Sequence, residues 1–377
     1  MRREITEGTT VFETDSTERI SAGMPVFYNP VMKLNRDLTL VMLAAMPSWM
    51  KAPVRVALPM EASGVRAARI LREAVAPGIV VPSRIAINDR SAEAILYARK
   101  NVERHIGSFP PGGVAFTALD ANVFLRTLGG AEYVDIDPFG TPNPFLDAAV
   151  QAVTRGGVLA VTATDTSALA GTYPRATARK YWSVPSRTWA MHEIGLRILI
   201  RKVQLVAAQH DRALTPILSI ATDHYYRVFF RNDGTGAGRV KAILDRHQPV
   251  HVDSRTHTVS PCATGSAGPL WTGPLHDKAV VDAMHAALER FGPTARDAGR
   301  LLDLVADEAR ISALGFVDLH ELSSLLGVPC PKRDAVLAAL GERAGRTHLC
   351  AHGIVTTASA DDVARCVHQL ANISSNA

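Results

Sequence analysis

Four apolar segments of this 377-residue sequence end in residues able to do chemistry: EASGVR at 61–66, Asn88-Asp89, Asp120-Ala121 and Asp137-Pro138-Phe139-Gly140. The last joins an acceptor, a rigid turn and a planar ring. An amine attached to a heterocycle is a poor nucleophile because its lone pair is delocalised into the ring. The Asp137 carboxylate and a carbonyl fixed by Pro138 would accept its N–H bonds and localise that pair, while Phe139 stacks on the base. Asp89 follows Gly64 by about twenty-five residues, a spacing that suits a carboxylate accepting both hydroxyls of a ribose. Asp120 is placed to accept from an adenine amino group, and the Ala121 N–H to donate to the ring. The turn at 61–66 lacks GxGxxG, which disfavours a dinucleotide pyrophosphate. An adenosine ligand without a pyrophosphate remains, and S-adenosylmethionine is one. Any one of these carboxylates could be a plain helix N-cap; the succession of them favours a ligand site.

The elements that must position these residues alternate regularly. RVALPM, RIAIND, VAFTALD, AEYVDID and GVLAVTATD read as buried strands. Helical segments lie between them, the first over 63–75 with Ser63 as a candidate cap and Pro77-Gly78 as a stop. This order predicts an α/β fold with a doubly wound parallel sheet, in which ligands bind beyond the carboxyl ends of the strands where strand order reverses. A long helix over 186–209 and two late strands within 215–231 complete that unit. Asp233-Gly234 and the glycines after it mark a break. The expected domains are therefore a catalytic one, 1–231, and a smaller α+β one, 232–377. The fifty residues after the break show little pattern. Helical periodicity resumes near Asp277, and a helix pair (317–345) followed by a hairpin (347–358) predicts a winged-helix-like end.

Composition narrows the partners. Lys+Arg number 41 against 36 Asp+Glu, and only eight of the 41 are Lys. Arginine suits bidentate phosphate contact and base stacking, so nucleic acid is a natural partner. YPRATARKY brings Arg175, Arg179 and Lys180 close behind the fifth strand, read as phosphate contacts to RNA. No apolar run approaches the ~18 residues of a spanning helix, and the charged start lacks a signal-peptide core. The four cysteines (Cys262, Cys330, Cys350, Cys366) are scattered, with no CxxC. A cytoplasmic protein without a membrane partner is expected.

The segments VFYNPVMKLNRDL, EASGVRAAR, YVDIDPFGTPNPFLDAA, YPRATARKY, DHYYRVFFR, GPLWTGPLHD and HELSSLLGVPCPKRDAV occur in this order over nearly the whole chain. Together they resemble the archaeal and eukaryal tRNA (guanine(26)-N2)-dimethyltransferases. The resemblance implies a class I, Rossmann-like S-adenosylmethionine-dependent methyltransferase domain and a family-specific C-terminal tRNA-binding domain. It implies transfer of one or two methyl groups to the exocyclic N2 of guanine at position 26 of tRNA. By position, Arg36, Arg66, Asp89, Asp120 and Ala121 would bind the methyl donor, Asp137 would be the catalytic acceptor, and Phe139 and Phe27 would sandwich the guanine. No obligate protein partner is implied.

The chain departs from that pattern twice. Leu58 stands where relatives have an acidic residue, with Glu61 three residues on as a possible substitute. Many archaeal relatives carry two CxxC pairs before GPLW; here that stretch holds His247, His251, His257 and Cys262 at irregular spacing, so no metal is expected. Two rivals stay open at this point. One is a related enzyme for another planar amine, although such enzymes commonly carry Asn-Pro-Pro-Tyr in place of Asp-Pro-Phe-Gly. The other is a non-catalytic RNA-binding protein on the same fold.

Overall fold

The computed structural model describes residues 2–15, 28–51, 53–107, 113–222 and 224–375. A hairpin that the sequence reading passed over opens the chain: β1 (Arg2–Glu7) and β2 (Thr10–Asp15) pair antiparallel about Gly8. Helix α1 (Lys33–Ala45) follows. The expected alternation then appears as β3 (Val54–Leu58), α2 (Val65–Arg69, continued by a π turn to Val75), β4 (Pro82–Asn88), α3 (Ala92–Glu103), β5 (Val114–Thr117), α4 (Ala121–Thr127), β6 (Ala131–Ile136), α5 (Leu146–Ala152) and β7 (Val153–Ala163). The short α6 (Thr166–Leu169) and α7 (Pro174–Tyr181) lead to the long α8 (Met191–Ala208) and the two late strands, β8 (Arg212–Ala221) and β9 (Tyr226–Thr235).

These seven strands form one sheet in the order β5-β4-β3-β6-β7-β9-β8, with β9 antiparallel to both neighbours and β3 to β7 parallel. Strand order reverses between β3 and β6, so their carboxyl ends flank the crevice where ligands of such sheets sit. Both faces are covered. Alternate side chains of each strand enter opposite cores: Phe229 joins the side packed by α1, while Val228 and Phe230 join the side packed by α8. Tyr133 points to the α1 side, and so by period two do Asp135 and Asp137, the continuation of its strand. The expected cap Ser63 is not used. Gly64 precedes α2 at φ 77°, where a Cβ would come within 2.7 Å of the Ala98 backbone; glycine lets α2 and α3 approach.

Sequence expected little order just after 231. Instead β9 runs on to Thr235, α9 (Ala237–Leu244) follows, and β10 (His247–Asp253), β11 (Thr258–Pro261) and β12 (Ala267–Trp271) make an antiparallel sheet. β10 and β11 are short and largely half-exposed, with few core residues such as Val250 and Val259, so apolar alternation is weak there. Helices α10 (Lys278–Leu288) and α11 (Arg296–Ile311) pack with α1 in the same core as the large sheet. The chain closes with β13 (Val317–Asp318), α12 (Leu319–Leu326), α13 (Arg333–Leu340), β14 (Ala344–Arg346), β15 (Gly353–Thr356) and α14 (Ala360–Ser375), around a core of their own. Its sheet order is β13-β15-β14.

Candidate active site

A cavity of about 630 Å³ lies at the carboxyl ends of β3, β4, β5 and β6. Arg36, Arg66, Asp89, Asp120, Ala121, Asp137, Pro138 and Phe139 all line it. Eight residues singled out from the sequence thus converge on one space. Phe27 lies outside the described residues. Arg175, Arg179 and Lys180 do not reach the cavity; they ride on α7.

Each strand-end carboxylate also has a local task. Asp89 accepts from the Ala62 N–H (3.0 Å) and the Ser91 N–H (2.9 Å), tying the turn after β3 to the start of α3. Asp120 caps α4 by accepting from the Asn122 N–H at 2.9 Å. Asn88 is a staple: its amide donates to the Pro59 and Leu119 carbonyls (3.0 and 2.9 Å) and its oxygen accepts from the Leu119 N–H (3.0 Å). The plain reading holds at each of them, and it is compatible with a ligand role, since capping fixes where the remaining lone pairs point.

Asp137 forms an ion pair with Nη2 of Arg66. Nη1 of the same guanidinium donates to Thr39 Oγ1 (2.7 Å) and lies 3.2 Å from Asp135. Asp135 in turn is gripped by Arg227, at 2.8 and 3.1 Å, and accepts from the Tyr133 hydroxyl at 2.9 Å. Burial pushes the Asp135 carboxyl up, but the charges of Arg227 and Arg66 outweigh it and hold it down to about 2. Two buried cations thus face two carboxylates, and the chain of contacts ends at the cavity. Sequence reading missed Asp135 and Arg227, although Asp135 sits two residues before Asp137 and so on its face of the strand. Nothing local marks Arg227, which is wholly buried, as different from a surface arginine.

Leu58, in the position where an acidic residue was expected, is buried in the core and does not line the cavity; Glu61 does. Its carboxylate accepts from the Ala67 N–H at 2.8 Å. Burial pushes it up to about 8, against the nearby charge of Arg66. Arg36 is held by Glu7 of the opening hairpin: Nε donates to Oε1 at 2.6 Å and Nη2 pairs with Oε2. Glu7 carried no motif that sequence reading used, and Tyr28, which lines the cavity, lies in the VFYNP segment but was given no role there.

Pro138 is buried while Phe139 is 56% exposed at the cavity edge. The turn behind them is braced: Gly140, at φ 73°, donates its N–H to Thr164 Oγ1 at 2.6 Å. Helix α7 is tied to the same turn. Tyr181 donates its hydroxyl proton to Asp165 (2.6 Å) and meets Thr141 (3.0 Å), while the Asn143 amide donates to the Lys180 carbonyl (2.8 Å). Arg175 and Arg179 are exposed; Lys180 is partly engaged by Asp165 at 3.4 Å.

The stretch weighed for metal binding spreads its side chains. His247 contacts Gln204 at 2.8 Å, and His257 stacks on Trp189 with ring centroids 4.4 Å apart. Among the described residues, one group has ligand atoms of metal-binding type close together: His276, Glu308 and His348. It is saturated without an ion. His276 Nδ1 accepts from the Ser219 N–H (3.4 Å) and His348 Nε2 from the Ala221 N–H (3.1 Å). Their other nitrogens therefore carry the protons, donated to Glu308 at 2.8 and 2.9 Å. A metal-bound imidazole has the opposite requirement, a protonated outer nitrogen facing an acceptor.

A doubly wound sheet with this cavity at its reversal point, lined by a strand-end carboxylate series and no glycine-rich pyrophosphate turn, defines the class I, Rossmann-like methyltransferase fold. The family model described as N2,N2-dimethylguanosine tRNA methyltransferase matches residues 7–368, and the chain belongs to that family. It is 34% identical over 370 residues to the tRNA (guanine(26)-N(2)/guanine(27)-N(2))-dimethyltransferase of Aquifex aeolicus, covering 93% of this chain and 92% of that one. It is 35% identical over 379 residues to the tRNA (guanine(26)-N(2))-dimethyltransferase of Methanothermobacter thermautotrophicus, covering 95% and 97%. Among solved structures, Trm1 from Pyrococcus horikoshii, in complex with S-adenosyl-L-methionine, superposes with a TM-score of 0.85 at 29% identity over 97% of this chain and 99% of that one.

Proposed function

We propose that the chain transfers one or two methyl groups from S-adenosylmethionine to the exocyclic N2 of guanine at position 26 of tRNA, forming N2-methyl- and N2,N2-dimethylguanosine. The observation that carries this reading is Asp137-Pro138-Phe139 at the strand-order reversal, in one cavity with Arg36, Arg66, Asp89 and Asp120. The donor, when bound, supplies an electrophilic methyl group on a sulfonium. The protein's residues do the rest. Asp89 accepts the ribose hydroxyls, while Asp120 and the Ala121 N–H meet the adenine edge. Arg36 and Arg66 are the cationic partners for the donor's carboxylate, Arg66 while also held by Asp137. Asp137 and the Pro138 carbonyl accept the N–H bonds of the guanine amine, and Asp137 is the acceptor in reach for the proton N2 releases at each transfer. The exposed ring of Phe139 stacks on the guanine, with Phe27 assigned to its other face.

The base must leave its stack to reach Asp137, at a cost of about a few kcal/mol. Contacts to the tRNA body offset that cost. Arg175, Arg179 and Lys180 on α7 contact phosphates. Residues 232–377, a tRNA-binding domain after the catalytic domain of 1–231, hold the tRNA body; the closing unit from β13 to β15 is winged-helix-like in this reading. No helix among the described residues is long and apolar enough to cross a membrane, and the cytoplasm is where the substrate would be met. Neither a metal nor an obligate protein partner enters the scheme.

The test is methylation of a tRNA transcript with labelled donor, followed by nucleoside digestion. Label in N2-methylguanosine or N2,N2-dimethylguanosine from position 26 is expected. Absence of both from a preparation that binds the donor rejects the reading, and label in a methyladenosine moves it to the related amine class.

A further inference from the structure

Glu7 is buried, yet it belongs to a two-stranded hairpin that lies outside the large sheet. Its carboxylate accepts from four donors: two from Arg36, Nη1 of Arg69 at 2.9 Å and the Tyr28 hydroxyl at 2.8 Å. Four is about the full capacity of a carboxylate. Arg69 does not depend on it, being paired with Asp37 at 2.6 Å and Glu73 at 2.8 Å. Arg36 does: Glu7 is its one carboxylate partner among the described residues.

The donors of Arg36 can be counted. Nε and one Nη2 proton go to Glu7, and Nη2 also donates to the Asn29 carbonyl at 3.0 Å. Both protons of Nη1 have no hydrogen-bond partner among the described residues, and Arg36 lines the cavity. The hairpin is itself held to the sheet's helices: Gly8 turns at φ 62° against the Glu73 carboxylate, where a Cβ would sit 2.4 Å from Oε1, and Glu73 accepts from Thr10 Oγ1 at 2.8 Å.

We propose that Glu7 is a positioning residue for the methyl donor: it occupies one edge of the Arg36 guanidinium and leaves Nη1 for the donor's carboxylate. The opening hairpin is thereby a working part of the donor site. The proposal rests on the donor reading above.

The experiment is calorimetric titration of the full chain with S-adenosylhomocysteine, which carries the carboxylate, and with 5′-methylthioadenosine, which lacks the amino-acid tail. In Glu7→Gln the first ligand weakens about tenfold or more, while the second changes by less than about twofold. Equal weakening of both, or no weakening of the first, overturns the proposal. Should Glu7→Gln not fold, Tyr28→Phe removes one of the four donors and leaves the carboxylate. It is expected to weaken S-adenosylhomocysteine alone, by about two- to threefold; an equal effect on both ligands overturns the proposal in that variant. A wild-type chain that binds neither ligand removes the donor reading and this inference together. Wild-type binding of both with a Glu7→Gln chain indistinguishable from it removes the inference alone.

Discussion

Two of the buried clusters of charge among the described residues differ in what is left over. Beneath the cavity, Arg66 and Arg227 face Asp135 and Asp137, and the last carboxylate opens on solvent-accessible space. Beside α11, Glu308 faces His276 and His348, and each ring nitrogen already has a partner. The second cluster joins β8, α11 and the segment before β15 and stops there. A buried polar group is costly unless paired, so full pairing is the ordinary condition. The informative exception is a paired network with one member turned toward a cavity. Residue type does not separate the two, since two imidazoles and a carboxylate look more like a reactive centre than two arginines and two aspartates do. The count of occupied lone pairs and protons does.

The largest effect expected from breaking this contrast is at Asp137. Asp137→Asn keeps the shape of the turn but loses the charged acceptor. Turnover should fall by about a hundred- to a thousandfold, with donor affinity changed only a few-fold. Single-turnover transfer of labelled methyl to tRNA, beside a donor titration, measures both. Unchanged turnover would remove Asp137 from the chemistry and leave the two clusters equivalent.

How much of the cavity and of the cluster beneath it was legible in the sequence follows from where their residues sit. Asp89, Asp120 and Asp137 end strands whose apolar runs are plain, and the alternation of strands and helices places them on one rim before any coordinate is known. Asp135 needed only the period of two. Arg227 lies on a strand 90 residues later in the chain than Asp137, and its partner comes from sheet order, which no local pattern reveals. Arg66 was read as a ligand of the donor, but the structure also pairs it with Asp137. The opening hairpin went unread because REITEG and TVFETD carry few apolar residues; Phe12 packs on Tyr28 and Val65, and much of the rest is charge. Residues 232–276 went unread for the same reason.

The saturated cluster should reveal itself through acid rather than through catalysis. Burial pushes the His276 imidazole below its ordinary value, so it is neutral when folded and takes up a proton on unfolding. Burial alone would raise Glu308, but the two imidazoles that face it and donate hydrogen bonds to it hold it well below the carboxylate range. Both folded values lie below the unfolded ones, so the stability they contribute is present at high pH and lost as pH falls. The loss begins near pH 6.5 with His276 and continues through about 4.5 and below with Glu308. Glu308→Gln should cost about 2–4 kcal/mol at pH 8, because both imidazole N–H groups lose a charged acceptor. It should also flatten the dependence below pH 5. Urea unfolding of both chains at pH 8, 6 and 4 measures this, and parallel profiles would contradict the assignment of protons within the cluster.

The smallest effect sharpens the contrast from outside. Arg175 and Arg179 are exposed on α7, away from both clusters, yet α7 is fastened to the Asp137 turn through Tyr181, Asp165 and Thr141. If they contact phosphate, each removes about one counterion from the RNA on binding. The slope of log affinity against log salt should then fall by about 0.7–0.9 for each arginine replaced by alanine. Turnover at saturating tRNA should stay within about twofold, since neither side chain reaches the cavity. Stability should move by less than about 0.5 kcal/mol, as for other exposed substitutions. A lowered maximal rate with an unchanged salt slope would instead make α7 a brace for the catalytic turn, and its link to that turn would outweigh its charge.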